Sequence, residues 1–220
     1  MNINDLRPAS AYALKYGAKA LVYGPPGIGK TPIINTAPRP VMCVSEPGML
    51  SMRTSTVPAF PAFTGKAIAE FFDWVLKSNE AKNFDTICID SVSQMAEIIL
   101  SEELTKNKDG RRAYGEMSRH MMNYLSGLYY AQNKHTYLIC KQSNDNGVFR
   151  PFFPGQDLNV KVPHLFDVIL HLAIHNIPGF GQQKAFRTCA SFDSVARDRS
   201  GKLTEFEQCD LAALFKKVMS

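Results

Sequence analysis

The run Gly24-Pro25-Pro26-Gly27-Ile28-Gly29-Lys30-Thr31 matches the phosphate-binding pattern G-x-x-x-x-G-K-[ST] at every defined position, and that pattern works only between a strand and a helix. Ala18 to Tyr23 (AKALVY) reads as a short apolar strand, and Lys30 to Thr36 as the opening of a helix. Gly24, Gly27 and Gly29 permit backbone turns closed to residues with a Cβ, so successive N–H groups can converge on a phosphate chain. The helix N-terminus adds its partial positive charge. Lys30 then reaches the β- and γ-phosphates as a point charge, and the Thr31 hydroxyl completes the oxygen shell of Mg²⁺. Pro32 fits the first helical turn, where its missing N–H has no partner to lose. The expected ligand set is ATP with Mg²⁺.

What surrounds the loop is bounded by size: 220 residues, 45% hydrophobic and 20% charged, suit one α/β domain with a sizeable core. Strands are expected at Pro40 to Ser45, Asp85 to Asp90 and His135 to Cys140, and helices at Gly65 to Ser78, Val92 to Leu104 and Arg112 to Asn133. Strand and helix alternate, which implies a doubly wound, mostly parallel sheet with ligands at the carboxyl ends of its strands. Beyond Lys141 the pattern changes: Val148 to Phe153, Val168 to His175 and Lys184 to Ala190 read as an antiparallel extension, closed by a helix from Leu211 to Met219 capped by Asp210. The expectation is a single domain over 1–220, with a core of about 18–142 and the extension over about 143–220.

The start, MNINDLRPAS, lacks an apolar stretch of signal-peptide length, and no run of about eighteen apolar residues occurs, so a cytoplasmic protein with no membrane partner is expected. The five cysteines are scattered without a C-x-x-C pair; Cys43, Cys88 and Cys140 fall in strand-like runs and read as buried free thiols. The formal charge of +5 permits a polyanionic partner without requiring one.

Asp90 ends the apolar run Thr86-Ile87-Cys88-Ile89, where a strand delivers a carboxylate to the edge that holds the phosphate loop; it fits a Mg²⁺-orienting group opposite Thr31. The next residue, Ser91, is polar but not acidic, so a water-activating carboxylate must come from elsewhere. Glu46, closing the second strand on the same edge, is the candidate. Two segments suit nucleic acid. Lys106-Asn107-Lys108-Asp109-Gly110-Arg111-Arg112 is a basic loop able to track a phosphate backbone, and Gln142 to Gly155 interleaves Phe149 and Arg150 with further aromatics that could stack unpaired bases.

Strand two ending in Glu46, strand three in Ile89-Asp90-Ser91-Val92 and strand four followed by Gln142 resemble the ATPase core of RecA-like recombinases. More narrowly, GPPGIGKT, SEPGMLSMR, DTICIDSVSQM, RRAYGEMSRHM and ARDRSGKL, in this order, resemble the phage-encoded RecA-like P-loop ATPases of the AAA nucleotide-binding class associated with single-strand annealing recombination. The resemblance spans roughly residues 18–203. It implies that Glu46 activates water and that Gln142 senses the γ-phosphate. It also implies assembly into a ring or filament in which a neighbour's Arg197 or Arg199 completes each nucleotide site, and single-stranded DNA as partner, with a single-strand-binding protein as a further one. A replicative helicase or loader ATPase, a small-molecule kinase, and an ATP-dependent adaptor that scarcely hydrolyses remain open beside it.

Overall fold

A computed structural model describes residues 2–3 and 6–220. Strands β1 (Lys19–Tyr23), β2 (Pro40–Val44), β3 (Ala59–Pro61), β4 (Thr86–Asp90), β5 (His135–Asp145), β6 (Val148–Phe152), β7 (Val168–Ile177), β8 (Gly181–Arg187), β9 (Arg197–Asp198) and β10 (Phe206–Glu207) alternate with helices. The helices are α1 (Ser10–Ala13), α2 (Gly65–Lys77), α3 (Val92–Lys106), α4 (Gly110–Tyr130), α5 (Gln156–Lys161) and α6 (Leu211–Val218). The sheet runs β10-β8-β7-β1-β5-β4-β2-β3, with β6 paired to β5 and β9 to β7. From β3 to β7 along that order every neighbouring pair is parallel; β6, β8, β9 and β10 pair antiparallel. The fold class read from the sequence is the fold observed.

The continuous apolar runs of the central strands follow from burial on both faces. In β1, Leu21 and Tyr23 join the core under α2, α3 and α4, whereas Ala20 and Val22 join the core under α6 and the turn of 3₁₀ helix Thr31–Thr36. Helix α2 buries Ile68, Phe71, Phe72 and Val75, a spacing that keeps one face of a 3.6-residue helix inward. Its N-cap, Thr64, accepts a hydrogen bond from the Ala67 N–H at 3.2 Å. Lys19 enters the sheet buried, its Nζ donating to the carbonyls of Ala131 and Lys134 at 3.1 and 2.7 Å, and burial pulls its pKa down to about 8.

The structure refines the sequence reading at four places. After Lys30 the chain makes a six-residue 3₁₀ helix, not an α-helix: Ala37 precedes Pro38 and is extended, which stops the helix after less than two turns of α geometry. Strand β3, flanked by Pro58 and ending on Pro61, carries no alternating pattern and was invisible as a strand. The basic loop shrinks to Asn107–Asp109, because α3 runs through Lys106 and α4 begins at Gly110, with the Asp109 side chain accepting from the Arg111 N–H at 2.9 Å. Finally, Gln142 to Phe152 is no loop but the β5–β6 hairpin, turning at Asn146-Gly147.

Cys43, Cys88 and Cys140 are buried free thiols, and burial pushes each pKa up, that of Cys140 from 9.0 to about 12. In the unfolded chain they ionise near pH 9 while in the folded chain they keep their protons, so stability is full below pH 9 and is lost above it. The loss is on the order of 1.4 kcal/mol per pH unit for each thiol. Lys19, lowered to about 8, and Lys30 and Lys134, lowered by burial as well, act in the opposite sense, but the three thiols are joined by Cys209, Tyr23 and Tyr137, whose pKa values burial raises, so the raised acids outnumber the lowered ammoniums. The melting temperature is therefore expected to fall steadily from pH 9 to 10.5; a flat or rising profile in a calorimetric titration would refute the thiol account.

Candidate functional site

Strand register brings the chemistry to one edge. Tyr23 of β1 aligns with Cys140 of β5, Ile139 of β5 with Asp90 of β4, and Asp90 with Val44 of β2. Because these strands are parallel, the loop after Tyr23, the carboxylate of Asp90, the Ser45-Glu46 pair and Gln142 all leave the sheet at its carboxyl rim. The loop, Glu46, Asp90 and Gln142 line a cleft of about 470 Å³ together with Met49, Ser91 and Lys141.

Gly27 and Gly29 take φ of +77° and +92°, conformations that side-chained residues rarely hold. Gly24 is needed for another reason: a Cβ there would lie 2.1 Å from the carbonyl oxygen of Leu172 on β7. That oxygen is backbone and cannot rotate aside. Gly24→Ala is accordingly expected to destabilise the fold by about 1–3 kcal/mol and to loosen the loop, measurable as a lowered urea midpoint. An unchanged midpoint would show that β7 yields freely.

Within the loop, Lys30 Nζ donates to the carbonyls of Gly24 and Pro25 at 2.8 and 3.0 Å, which holds the ammonium across the loop's mouth. The carbonyl of Lys30 in turn accepts from the buried Tyr137 hydroxyl at 3.2 Å. Burial lowers the Lys30 pKa, opposed by the charges of Asp90 and Glu46. The Thr31 hydroxyl donates to Asp90 Oδ2, so the two oxygens suited to one hard cation are immediate neighbours. Burial raises the Asp90 pKa, and the Thr31 hydrogen bond works against that rise.

Glu46 is aimed by Ser91, whose hydroxyl donates to Glu46 Oε1 at 2.6 Å. Ser91 is itself fixed twice: its hydroxyl caps α3 by accepting from the Gln94 N–H at 3.2 Å, and its N–H donates to Ser45 Oγ at 2.9 Å. The Ser45 hydroxyl returns a bond to the Ser91 carbonyl at 2.9 Å, and the Ser45 N–H donates to the Asp90 carbonyl at 2.8 Å. Two strand ends are thus clamped so that one carboxylate faces the cleft beside the other. Ser45 and Ser91 are the functional residues that sequence reasoning missed; the signal available was that adjacent strands end in Ser-Glu and Asp-Ser. Gln142 Oε1 lies buried on the cleft wall with no hydrogen-bond partner among the described residues, an acceptor awaiting a donor.

Other candidate residues lie apart from this cleft. Arg197 and Arg199 belong to β9 and the residue after it, paired with the first residues of β7, and Val168 of β7 aligns with Ala20 of β1. Arg197 lies opposite Ile169 and so level with Leu21, three residues or about 10 Å along a strand short of Gly24, and Arg199, whose N–H donates to the Asp167 carbonyl, lies further still from the loop. Arg197 donates to the carbonyls of Pro163 and Phe166 at 2.5 and 2.7 Å, and Arg199 to that of His164 at 3.0 Å. Lys106 is paired with Glu103 at 2.8 Å, whereas Lys108, Arg111 and Arg112 are exposed with no ion pair among the described residues. Phe149 is half-buried and stacked on His171, with ring centroids 5.8 Å apart, so it faces inward and is no open platform for bases. Arg150 is exposed beside Asp145, 3.5 Å away.

No curated protein sequence matches the chain. Among solved structures, a KaiC-like protein from the hyperthermophilic archaeon Pyrococcus horikoshii OT3 is similar at 12% identity and a TM-score of 0.43, over 78% of this chain and 77% of that one. The AAA domain family is matched over residues 16–200, an interval that contains the phosphate loop, both carboxylates, Gln142 and both arginines. With most of its length inside that match and the loop built as described, the chain belongs to the AAA domain family and is a P-loop ATPase.

Proposed function

We propose that this chain is an ATP-hydrolysing protein that assembles side by side and acts on single-stranded DNA in recombination or annealing, in the manner of the phage-encoded RecA-like ATPases its motifs resemble. The observation that carries the hydrolytic part is the convergence of Lys30, Thr31, Asp90, Glu46 and the unpaired Gln142 Oε1 on one cleft. Thr31 and Asp90 offer adjacent oxygens of the kind Mg²⁺ takes, and the ion when bound would neutralise charge between the β- and γ-phosphates. Lys30 holds the phosphates as a cation. Glu46, oriented by Ser91, accepts a proton from the attacking water, while the Gln142 amide N–H would donate to the γ-phosphate and its unpaired Oε1 would accept from a water in the cleft.

Assembly is favoured by the placement of Arg197 and Arg199 away from their own loop, and of the two it is Arg199, exposed and held by a single bond to the His164 carbonyl, that could most readily turn to a neighbour's site. DNA contact is favoured by the exposed, unpaired Lys108, Arg111 and Arg112; the last two open α4, where basic side chains oppose the helix dipole and gain from an anionic partner. Among the described residues no helix is long and apolar enough to cross a membrane. The decisive experiment is ATP turnover with and without single-stranded DNA, read beside mass in solution. Stimulation accompanied by a rise in mass supports the reading. Turnover indifferent to DNA from a monomer would overturn its DNA and assembly parts.

A further inference from the structure

The β7–β8 hairpin does not stop at the rim of the sheet. β7 pairs with β1 as far as His171 and then continues to Ile177, paired along that length with β8, so the hairpin stands beside the phosphate loop. Gly24 packs against the Leu172 backbone on one strand of it. On the other strand, Lys184 lies opposite Ile174 and sends its side chain back to the loop: Nζ would be 3.3 Å from a Cβ placed on Gly29. Lys184 is exposed, and its ammonium has no hydrogen bond or ion pair among the described residues. Its charge is felt by the half-buried Cys209 thiol, whose pKa is raised by burial and drawn back by the lysine.

We propose that Lys184 is a second phosphate-binding cation of the nucleotide site, supplied by the same subunit and reaching the loop at Gly29, the residue before Lys30. The proposal rests on the nucleotide-binding reading of the loop and adds to it a residue outside the loop pattern. Three features support it. Gly29 carries no side chain, so the ammonium approaches the loop backbone without the shift of a few tenths of an ångström that a Cβ would impose. Within the loop Lys30, which donates to two loop carbonyls, is a single cation against a chain of three or more negative charges, so a second ammonium would share that charge. Lys184 is also mounted on a paired strand, so only its side chain, and not its backbone, has to be ordered when it meets an anion.

The test is calorimetric binding of ATP, ADP and inorganic tripolyphosphate to the full chain, comparing wild type, Lys184→Gln, Lys184→Arg and Lys30→Ala at two salt concentrations. Lys184→Gln is expected to weaken all three ligands by about tenfold and to flatten the salt dependence, as loss of one charge-assisted contact requires. Lys184→Arg, which keeps the charge, should bind within about threefold of wild type on the same grounds. Wild-type affinity in Lys184→Gln, beside a clear loss in Lys30→Ala, would overturn this inference and leave the nucleotide site standing. Equal loss in the Arg and Gln variants would overturn it too, since charge would not be what the position contributes. A wild type that binds none of the three ligands would overturn both readings together.

Discussion

Glu46→Gln is expected to bind ATP with near wild-type affinity and to hydrolyse it about 10²–10⁴ times more slowly, the range spanned by loss of a general base. The substitution is nearly isosteric and keeps an oxygen for the Ser91 hydroxyl, which donates to Glu46 Oε1 at 2.6 Å, so the clamp between the two strand ends survives. What disappears is the negative charge that takes a proton from water. Lys30→Ala provides the contrast, since it removes a cation that holds the phosphates and should weaken binding itself. Single-turnover hydrolysis read beside filter retention of ATP separates the two effects. Normal turnover in Glu46→Gln would mean that water is activated elsewhere in the cleft.

The second large effect concerns a residue far from its own loop. If a neighbour's guanidinium stabilises charge on the transferring phosphoryl group, Arg199→Ala should cost about 10³–10⁵ in turnover while monomer nucleotide affinity stays put. The geometry allows a sharper test than a single variant. A subunit carrying Arg199→Ala keeps an intact cleft, and one carrying Glu46→Gln keeps an intact arginine, so mixing the two inactive proteins should restore hydrolysis at interfaces where they meet. Absence of any recovery would exclude a shared site. Arg197 calls for separate treatment: its guanidinium bridges the Pro163 and Phe166 carbonyls and its Nε is buried without a partner. Arg197→Ala should lower stability by about 1–3 kcal/mol whatever it does to turnover. A lone fall in activity at Arg197, without a fall in melting temperature, would assign it to the neighbour's site as well.

Much of this molecule was legible because parallel strands covered on both faces must be apolar along their length, and a short apolar run ending in a polar residue marks both a strand and its rim. That logic located Asp90 and Glu46 without any structure, since the carboxyl ends of strands in a doubly wound sheet share one edge. It failed where register decides. Ser91 could be judged only by what it lacked, a carboxylate; that it orients Glu46 depends on β2 and β4 being neighbours with Val44 beside Asp90. Phe149 and Arg150 were grouped as one surface for bases, yet they are adjacent on one strand of a hairpin and so face opposite ways, one against His171 and one to solvent. Lys184 gave no local signal whatever, because its proximity to Gly29 spans more than 150 residues of chain.

The close approach of the Gly24 backbone to the Leu172 carbonyl has a mechanical corollary. Two backbones in van der Waals contact with no side chain between them have no soft layer to absorb displacement, so the phosphate loop and the hairpin rooted at Leu172 must travel together. Whatever docks against the outer end of that hairpin, where Ile174 and Phe180 stand exposed, is therefore levered directly on the loop that grips phosphate.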